Sequence, residues 1–216
     1  MKSVLIIGMG RMGRHLARKM QQLGNDVMVV DIREDIINAL SDVFTDSSIC
    51  DCTNEAVISS LGVDNFDICF VTIGENFQAS LVITSLLKKH GARMIVAKTN
   101  QDIQADLLKA IGADEIVYPE VEIAEKLAVR YNAKNIFDFV PLTAEYSIYE
   151  IPILQGWVGQ SVMEVNVRRK YQVNIIAVKN ESGLNPNMGA DYRFRSGDHI
   201  IVIGKSDDVF KLSGRA

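Results

Sequence analysis

Gly8-Met9-Gly10-Arg11-Met12-Gly13 has the spacing G-x-G-x-x-G, which suits one kind of chemistry: cradling a phosphate with backbone N–H groups. The apolar run Val4–Ile7 precedes it, and Met12, Leu16, Met20 and Leu23 recur behind it at helical spacing. The turn therefore joins a strand to a helix. Gly8 permits the tight turn, Gly10 lets the backbone approach the phosphates, and Gly13 lets helix and strand pack closely. The helix N-terminus adds unpaired N–H groups and a partial positive charge. Asp31 follows Gly13 by 18 residues and closes a second strand, where its carboxylate can accept from ribose hydroxyls. Glycines that serve packing alone are the alternative.

Ligands of such sheets lie at the carboxyl ends of the strands, so those ends name the other candidates. Asp31 and Ile32 end the second strand, and Asp51 and Cys52 end the third, where a base should lie. The fourth ends in Thr72, Ile73 and Gly74 with Asn76 just beyond; Lys98 ends the fifth and Glu120 the sixth. Lys98 would meet phosphates as a point charge, and Arg11 adds a second cation inside the turn. Two cations beside a helix N-terminus suit a di- or triphosphate. Glu120 would repel that anion unless a divalent metal lay between them. Ordinary solvated loop charges are the competing reading of Lys98 and Glu120.

Hydride transfer would need an acid or base beside a nicotinamide. His15, His90 and His199 all lie away from the strand carboxyl ends, so they read as structural or solvated. There is no G-x-S-x-G elbow, Walker lysine or metal-ligand cluster. Cys50, Cys52 and Cys69 are too few for a disulfide framework and read as reduced thiols. Binding without turnover is the simpler reading, with an NAD-dependent oxidoreductase of a small substrate as the alternative.

These residues need a scaffold, and 216 residues that are 48% apolar supply one. Through about residue 140, short β-branched runs alternate with amphipathic helices, the pattern of a doubly wound parallel sheet. Strands are expected at Val4–Ile7, Val27–Val30, Ser48–Cys50, Ile68–Thr72, Met94–Ala97 and Glu115–Tyr118. Helices are expected near Asp35–Phe44, Asn54–Leu61, Asn76–His90 (mostly buried), along Ile103, Leu107 and Ile111, and over Glu120–Tyr131. The rhythm then changes. Tyr146–Ile151, Val173–Lys179 and His199–Gly204 read as strands of a small α+β unit, with a helical piece near Ser161–Lys170. The expected domains are 1–135 and 140–216. A net charge of -4 gives no pull toward nucleic acid, and no run approaches the roughly 18 apolar residues that span a bilayer. A cytosolic protein is expected.

Several segments together are more specific. Beside the glycine turn stand Asp51-Cys52-Thr53, Ile73 to Ser80 (IGENFQAS), Ile111-Gly112-Ala113-Asp114 and Tyr118-Pro119-Glu120. In the second half stand Val158-Gly159, Val165-Asn166-Val167-Arg168 and Arg195-Ser196-Gly197-Asp198. With them the sequence resembles the RCK (KTN) regulatory subunits of bacterial potassium uptake systems, the TrkA/KtrA type. The resemblance implies a gating subunit, not an enzyme: a Rossmann-type RCK_N domain followed by a small RCK_C domain. It implies dimers assembled into an octameric ring, held on the inner face of the membrane by a potassium-conducting subunit of the KtrB/TrkH type. ATP would activate and ADP inactivate, and NAD(H) is a further ligand of some members. The resemblance puts Arg11 on the terminal phosphate, Asp31 on the ribose, Asp51 and Cys52 beside the adenine, and Lys98 on the phosphates. Glu120 would lie near a Mg²⁺ or Ca²⁺ ion. Cys52 stands where relatives often carry Ala, a departure a small apolar thiol tolerates. Val162, Met163, Arg168, Asn174 and Ile175 fall where the C-terminal domain would take cyclic di-AMP between two copies. Residue 166 is Asn where relatives often carry Asp.

Overall fold

Val4–Ile7 carries no polar residue, and in this computed structural model both faces of the strand it forms, β1 (Ser3–Ile7), are covered. Val4 and Ile6 pack with Ala17, Val29 and Phe44 on one side, while Leu5 and Ile7 pack with Ile58, Leu87 and Leu108 on the other. The structure describes residues 1–44, 46–132 and 136–214. Their contacts divide the chain into two units, Met1–Val121 and Glu122–Ala216. The expected boundary at residue 135 lies outside the described residues.

In the first unit strand and helix alternate: α1 (Arg11–Gln22), β2 (Asp26–Asp31), α2 (Glu34–Asn38), β3 (Asp46–Ile49), α3 (Glu55–Ser60) and β4 (Ile68–Val71). Then come α4 (Phe77–Lys89), β5 (Ile95–Lys98), α5 (Asp102–Ala110), β6 (Glu115–Val117) and α6 (Pro119–Asn132), the last running past the unit boundary. The strands form one parallel sheet in the order β3-β2-β1-β4-β5-β6. The direction of winding reverses between β1 and β4, which leaves a crevice at their carboxyl ends.

Three expectations are corrected. The helix expected over Asp35–Phe44 stops at Asn38, where Ser41 Oγ donates to the Asn38 carbonyl and the chain continues in turns. Ile37, Leu40 and Phe44 are buried all the same, so the apolar period is met by tighter turns. On α5, Ile103 and Leu107 are exposed while Ala105 and Leu108 face the core. Helix α4 buries one face, Ser80, Ile83, Thr84 and Leu87, and leaves Val82 outside.

The second unit carries an antiparallel sheet, β10-β9-β11-β8-β7, built from β7 (Asp138–Pro141), β8 (Tyr146–Pro152), β9 (Asn174–Asn180), β10 (Gly183–Asn185) and β11 (His199–Lys205). Strand β8 alternates inward Ser147, Tyr149 and Ile151 with outward residues, as a sheet covered on one face requires. Tyr149, Ile151, Trp157, Phe194, Ile200 and Val202 share its core. The helical piece expected over Ser161–Lys170 is two helices, α7 (Val162–Val165) and α8 (Val167–Tyr171), broken at Asn166 by a left-handed φ of 49°. A last helix, α9 (Ser206–Ser213), buries Val209 and Leu212.

Candidate functional site

The three glycines of the turn differ in what surrounds them. Gly8 has φ +98°, a left-handed conformation, and a Cβ there would lie 2.9 Å from Ile73 Cγ1. A Cβ on Gly13 would meet the Gly8 carbonyl oxygen, with Thr72 Oγ1 at 2.8 Å, so α1 and β1 approach as closely as their backbones allow. At Gly10 a Cβ would meet no atom within 4 Å. Gly10 is also the N-cap of α1, and no side chain caps the helix. The N–H groups of the first turn thus have no side-chain cap, a fit for phosphate oxygens.

Thr72 ties the turn to β4: its hydroxyl donates to the Gly8 carbonyl at 2.6 Å from a buried position. Asp31 ties it to β2. Its Oδ2 accepts from Met9 N at 2.6 Å, and its Oδ1 accepts from Arg33 N at 3.0 Å and Arg33 Nε at 3.1 Å. Burial pushes the Asp31 carboxyl up, but the Arg33 guanidinium and the N–H groups of Arg33 and Met9 outweigh that and hold it below its ordinary value.

Lys98 and Glu120, read from the sequence as strand-end charges, meet at 2.8 Å. Lys98 is largely shielded, Glu120 is 61% exposed, and a Cβ on Gly74 would stand 3.5 Å from Lys98 Nζ. The lysine therefore reaches from β5 toward the end of β4 and is not an ordinary solvated loop charge, the reading that competed with phosphate contact. Hydrogen bonding to Lys98, then to its own N–H, lowers the Glu120 carboxyl, and Arg11 adds a weaker attraction. Among the described residues no three His, Cys, Asp or Glu side chains converge as a metal site. A divalent ion on Glu120 would take its other ligands from phosphate, water or a second copy.

The remaining candidates divide. Cys52 is buried, and Asp51 beside it is exposed and bonded to Thr53 N and Oγ1. Burial, then the neighbouring Cys50, pushes the Cys52 thiol up, and burial alone takes Cys69 to about 12, so both stay protonated and unreactive. Ile32 is exposed, and Asn76 caps α4 by accepting from Ala79 N at 3.0 Å. The histidines hold structural partners where they are bonded: His90 with Glu55 at 3.1 Å and His199 with Glu150 at 2.8 Å.

In the second unit Val162, Met163, Arg168, Asn174 and Ile175 line one open groove of about 340 Å³, with Asn166 and Ala190. Asn166 and Gln172, both at positive φ, bracket α8 and line an opening together with Arg168 and Arg169. A capping box at Ser161 and Glu164 starts the segment. Arg195–Asp198 is a staple: buried Asp198 accepts from Tyr192 Oη and Arg195 N, both at 2.8 Å. Ile111–Asp114 acts likewise, with Asp114 accepting from Ile95 N at 2.8 Å.

Sequence reasoning missed Arg33, and it listed Thr72 at the end of the fourth strand without its bond to the Gly8 carbonyl. The signal available for Arg33 was a cation two residues past the carboxylate that closes β2.

Comparison with known proteins agrees with this fold. Residues 4–119 match the TrkA-N domain family and residues 147–213 the TrkA-C domain family. The chain is 34% identical to the Ktr system potassium uptake protein C of Bacillus subtilis (strain 168), covering 99% of this chain and 97% of that one. It is 32% identical to the Ktr system potassium uptake protein A of the same organism, over 96% and 94%. Among solved structures, the GsuK RCK domain superposes with a TM-score of 0.70 at 18% identity, over 100% of this chain and 48% of that one. A GsuK channel bound to NAD gives 0.68 at 17%, over 98% and 38%. The chain thus spans about half or less of those channel chains, and the likeness to them is one of fold. Among the described residues no helix is long and apolar enough to cross a membrane. These matches place the chain among potassium uptake proteins and not among enzymes: it belongs to the TrkA/KtrA family, with a Rossmann-type TrkA-N domain and a TrkA-C domain.

Proposed function

We propose that this chain is a cytosolic gating subunit of a potassium uptake system, and that its first unit distinguishes ATP from ADP. The observations that carry the reading are the uncapped N-terminus of α1, where a Cβ on Gly10 would meet nothing within 4 Å, and the Lys98–Glu120 pair at the carboxyl end of the same sheet. In this reading the α1 N–H groups and Lys98 hold phosphates, Asp31 orients the ribose, and Asp51 and Cys52 border the adenine. Once Lys98 turns to phosphate, the Glu120 carboxylate is released to hold Mg²⁺ or Ca²⁺, which would screen the terminal phosphate from it. Arg11, close enough to act on Glu120, reads the terminal phosphate. NAD(H) is the second ligand class, supported by the NAD of the GsuK channel.

The domains of the proposed subunit are 1–135 and 140–216. Copies dimerise and close into an octameric ring under a potassium-conducting membrane subunit of the KtrB/TrkH type. Exposed Val121, Ile123 and Leu127 on α6 support such assembly. The groove around Arg168 is proposed to take cyclic di-AMP between two copies. Moving a two-state ring from 1:99 to 99:1 takes about 5.5 kcal/mol, which sites sharing one transition supply at about 1 kcal/mol each.

Titration calorimetry with ATP, ADP and NADH, with and without Mg²⁺, tests the reading. ATP and ADP should bind, Mg²⁺ should tighten ATP alone, and Arg11→Ala or Glu120→Gln should erase that difference. Binding of NADH without adenine nucleotides, or of none of the three, would overturn it.

A further inference from the structure

The hydrogen-bonding capacity of Asp31 is already full. Oδ2 accepts from Met9 N at 2.6 Å and Arg33 Nη2 at 3.3 Å; Oδ1 accepts from Arg33 N at 3.0 Å and Arg33 Nε at 3.1 Å. A carboxylate offers about four lone-pair sites, so no acceptor is left for a sugar hydroxyl. The four donors differ in freedom. Two are backbone N–H groups fixed by the glycine turn and by the chain leaving β2. The other two belong to one guanidinium on a side chain that is 54% exposed and leaves by rotation alone.

The fork of Arg33 sets two parallel donors against two carboxylate oxygens. A ribose 2′,3′-diol presents the same pattern, so the two are mutually exclusive on Asp31. We infer that Arg33 is a displaceable plug on the ribose seat: a nucleoside phosphate with a free 2′,3′-diol binds by expelling the guanidinium, and Arg33 sets affinity for the diol by competing with it. This rests on the nucleotide reading above. The expelled cation stays near opposite charge, since Asp35 and Glu75 both act on it. Asp31 keeps its two backbone donors and does not move with it.

The experiment compares ADP with 2′,3′-dideoxy-ADP by titration calorimetry on the wild type, Arg33→Gln and Arg33→Lys. The dideoxy ligand has no hydroxyl to give Asp31 and leaves the arginine in place. Loss of charge near the phosphates affects both ligands alike and cancels in their ratio. The preference for ADP over its dideoxy form should rise about fivefold in Arg33→Gln, the worth of a half-exposed ion pair, and by less in Arg33→Lys. An unchanged or smaller preference in Arg33→Gln would overturn the plug while leaving nucleotide binding intact. Failure of ADP to bind any of the three proteins would overturn the nucleotide reading and the plug together.

Discussion

Replacing Gly13 and Gly10 in turn by alanine separates packing from ligand contact within one six-residue segment. A Cβ at Gly13 would press on the Gly8 carbonyl oxygen and stand 2.8 Å from Thr72 Oγ1, and strand backbone cannot swing aside as a side chain does. Helix α1 must back away from the sheet, an overpacking cost at the upper end of about 1–3 kcal/mol. Alanine recovers about 1 kcal/mol through its better helix propensity, leaving a net loss of about 2 kcal/mol. For a unit the size of Met1–Val121 that lowers the melting temperature by about 8 °C. Gly10 is the opposite case. Its φ of -64° suits any residue, and a methyl there meets nothing within 4 Å. Gly10→Ala should melt within about 2 °C of the wild type. The same methyl fills the space proposed for phosphate, so ATP should bind about 5- to 150-fold more weakly, the equivalent of about 1–3 kcal/mol. Scanning and titration calorimetry on both variants read all four quantities. The reasoning is refuted if Gly13→Ala melts with the wild type, if Gly10→Ala melts as low as Gly13→Ala, or if Gly10→Ala binds ATP unchanged.

Two further predictions concern buried carboxylates. Asp31 sits below its ordinary 3.8, so its contribution to stability is complete above that pH and is lost as pH falls through the lower folded value. Urea midpoints between about pH 5 and pH 2 should fall more steeply for the wild type than for Asp31→Asn, and parallel acid limbs would contradict this. Asp198→Ala leaves Tyr192 Oη and Arg195 N without their acceptor and should cost about 2–3 kcal/mol. The loss should appear in the transition of the second unit alone, and an equal shift in both units would count against the staple.

Much of the first unit could be read from the chain because its signals are local. β-branched runs between helical periods mark buried parallel strands, and the spacing of Gly8, Gly10 and Gly13 marks the turn. The list of strand ends even held both Lys98 and Glu120. Their pairing could not be read, because it depends on β5 and β6 lying side by side across 22 residues. Strand β7 was missed for a related reason: Asp-Phe-Val-Pro has the composition of a linker and becomes a strand only against β8. Strand β10, Gly-Leu-Asn, reads as a turn for the same cause. At Asn166 a short side chain tolerates left-handed backbone, so a helix that looks continuous in sequence bends there. Sequence also cannot separate a ligand contact from a staple. Ile111–Asp114 and Arg195–Asp198 are both signature segments, yet their carboxylates are committed to backbone N–H groups of the fold.

The pair between Lys98 and Glu120 has a consequence for how the site responds to its medium. In the proposed reading, a phosphate that drew Lys98 away would trade one ion pair for another and would not meet a waiting cation. Mobile ions weaken the contact that is lost as well as the contact that is gained. The two effects partly cancel, so affinity should vary with ionic strength less steeply than the cations around the turn suggest. In a family of potassium uptake proteins that cancellation matters. Where transport shifts the salt around such a subunit, a site built on exchange would keep responding to the proposed ligand while the ionic background drifts.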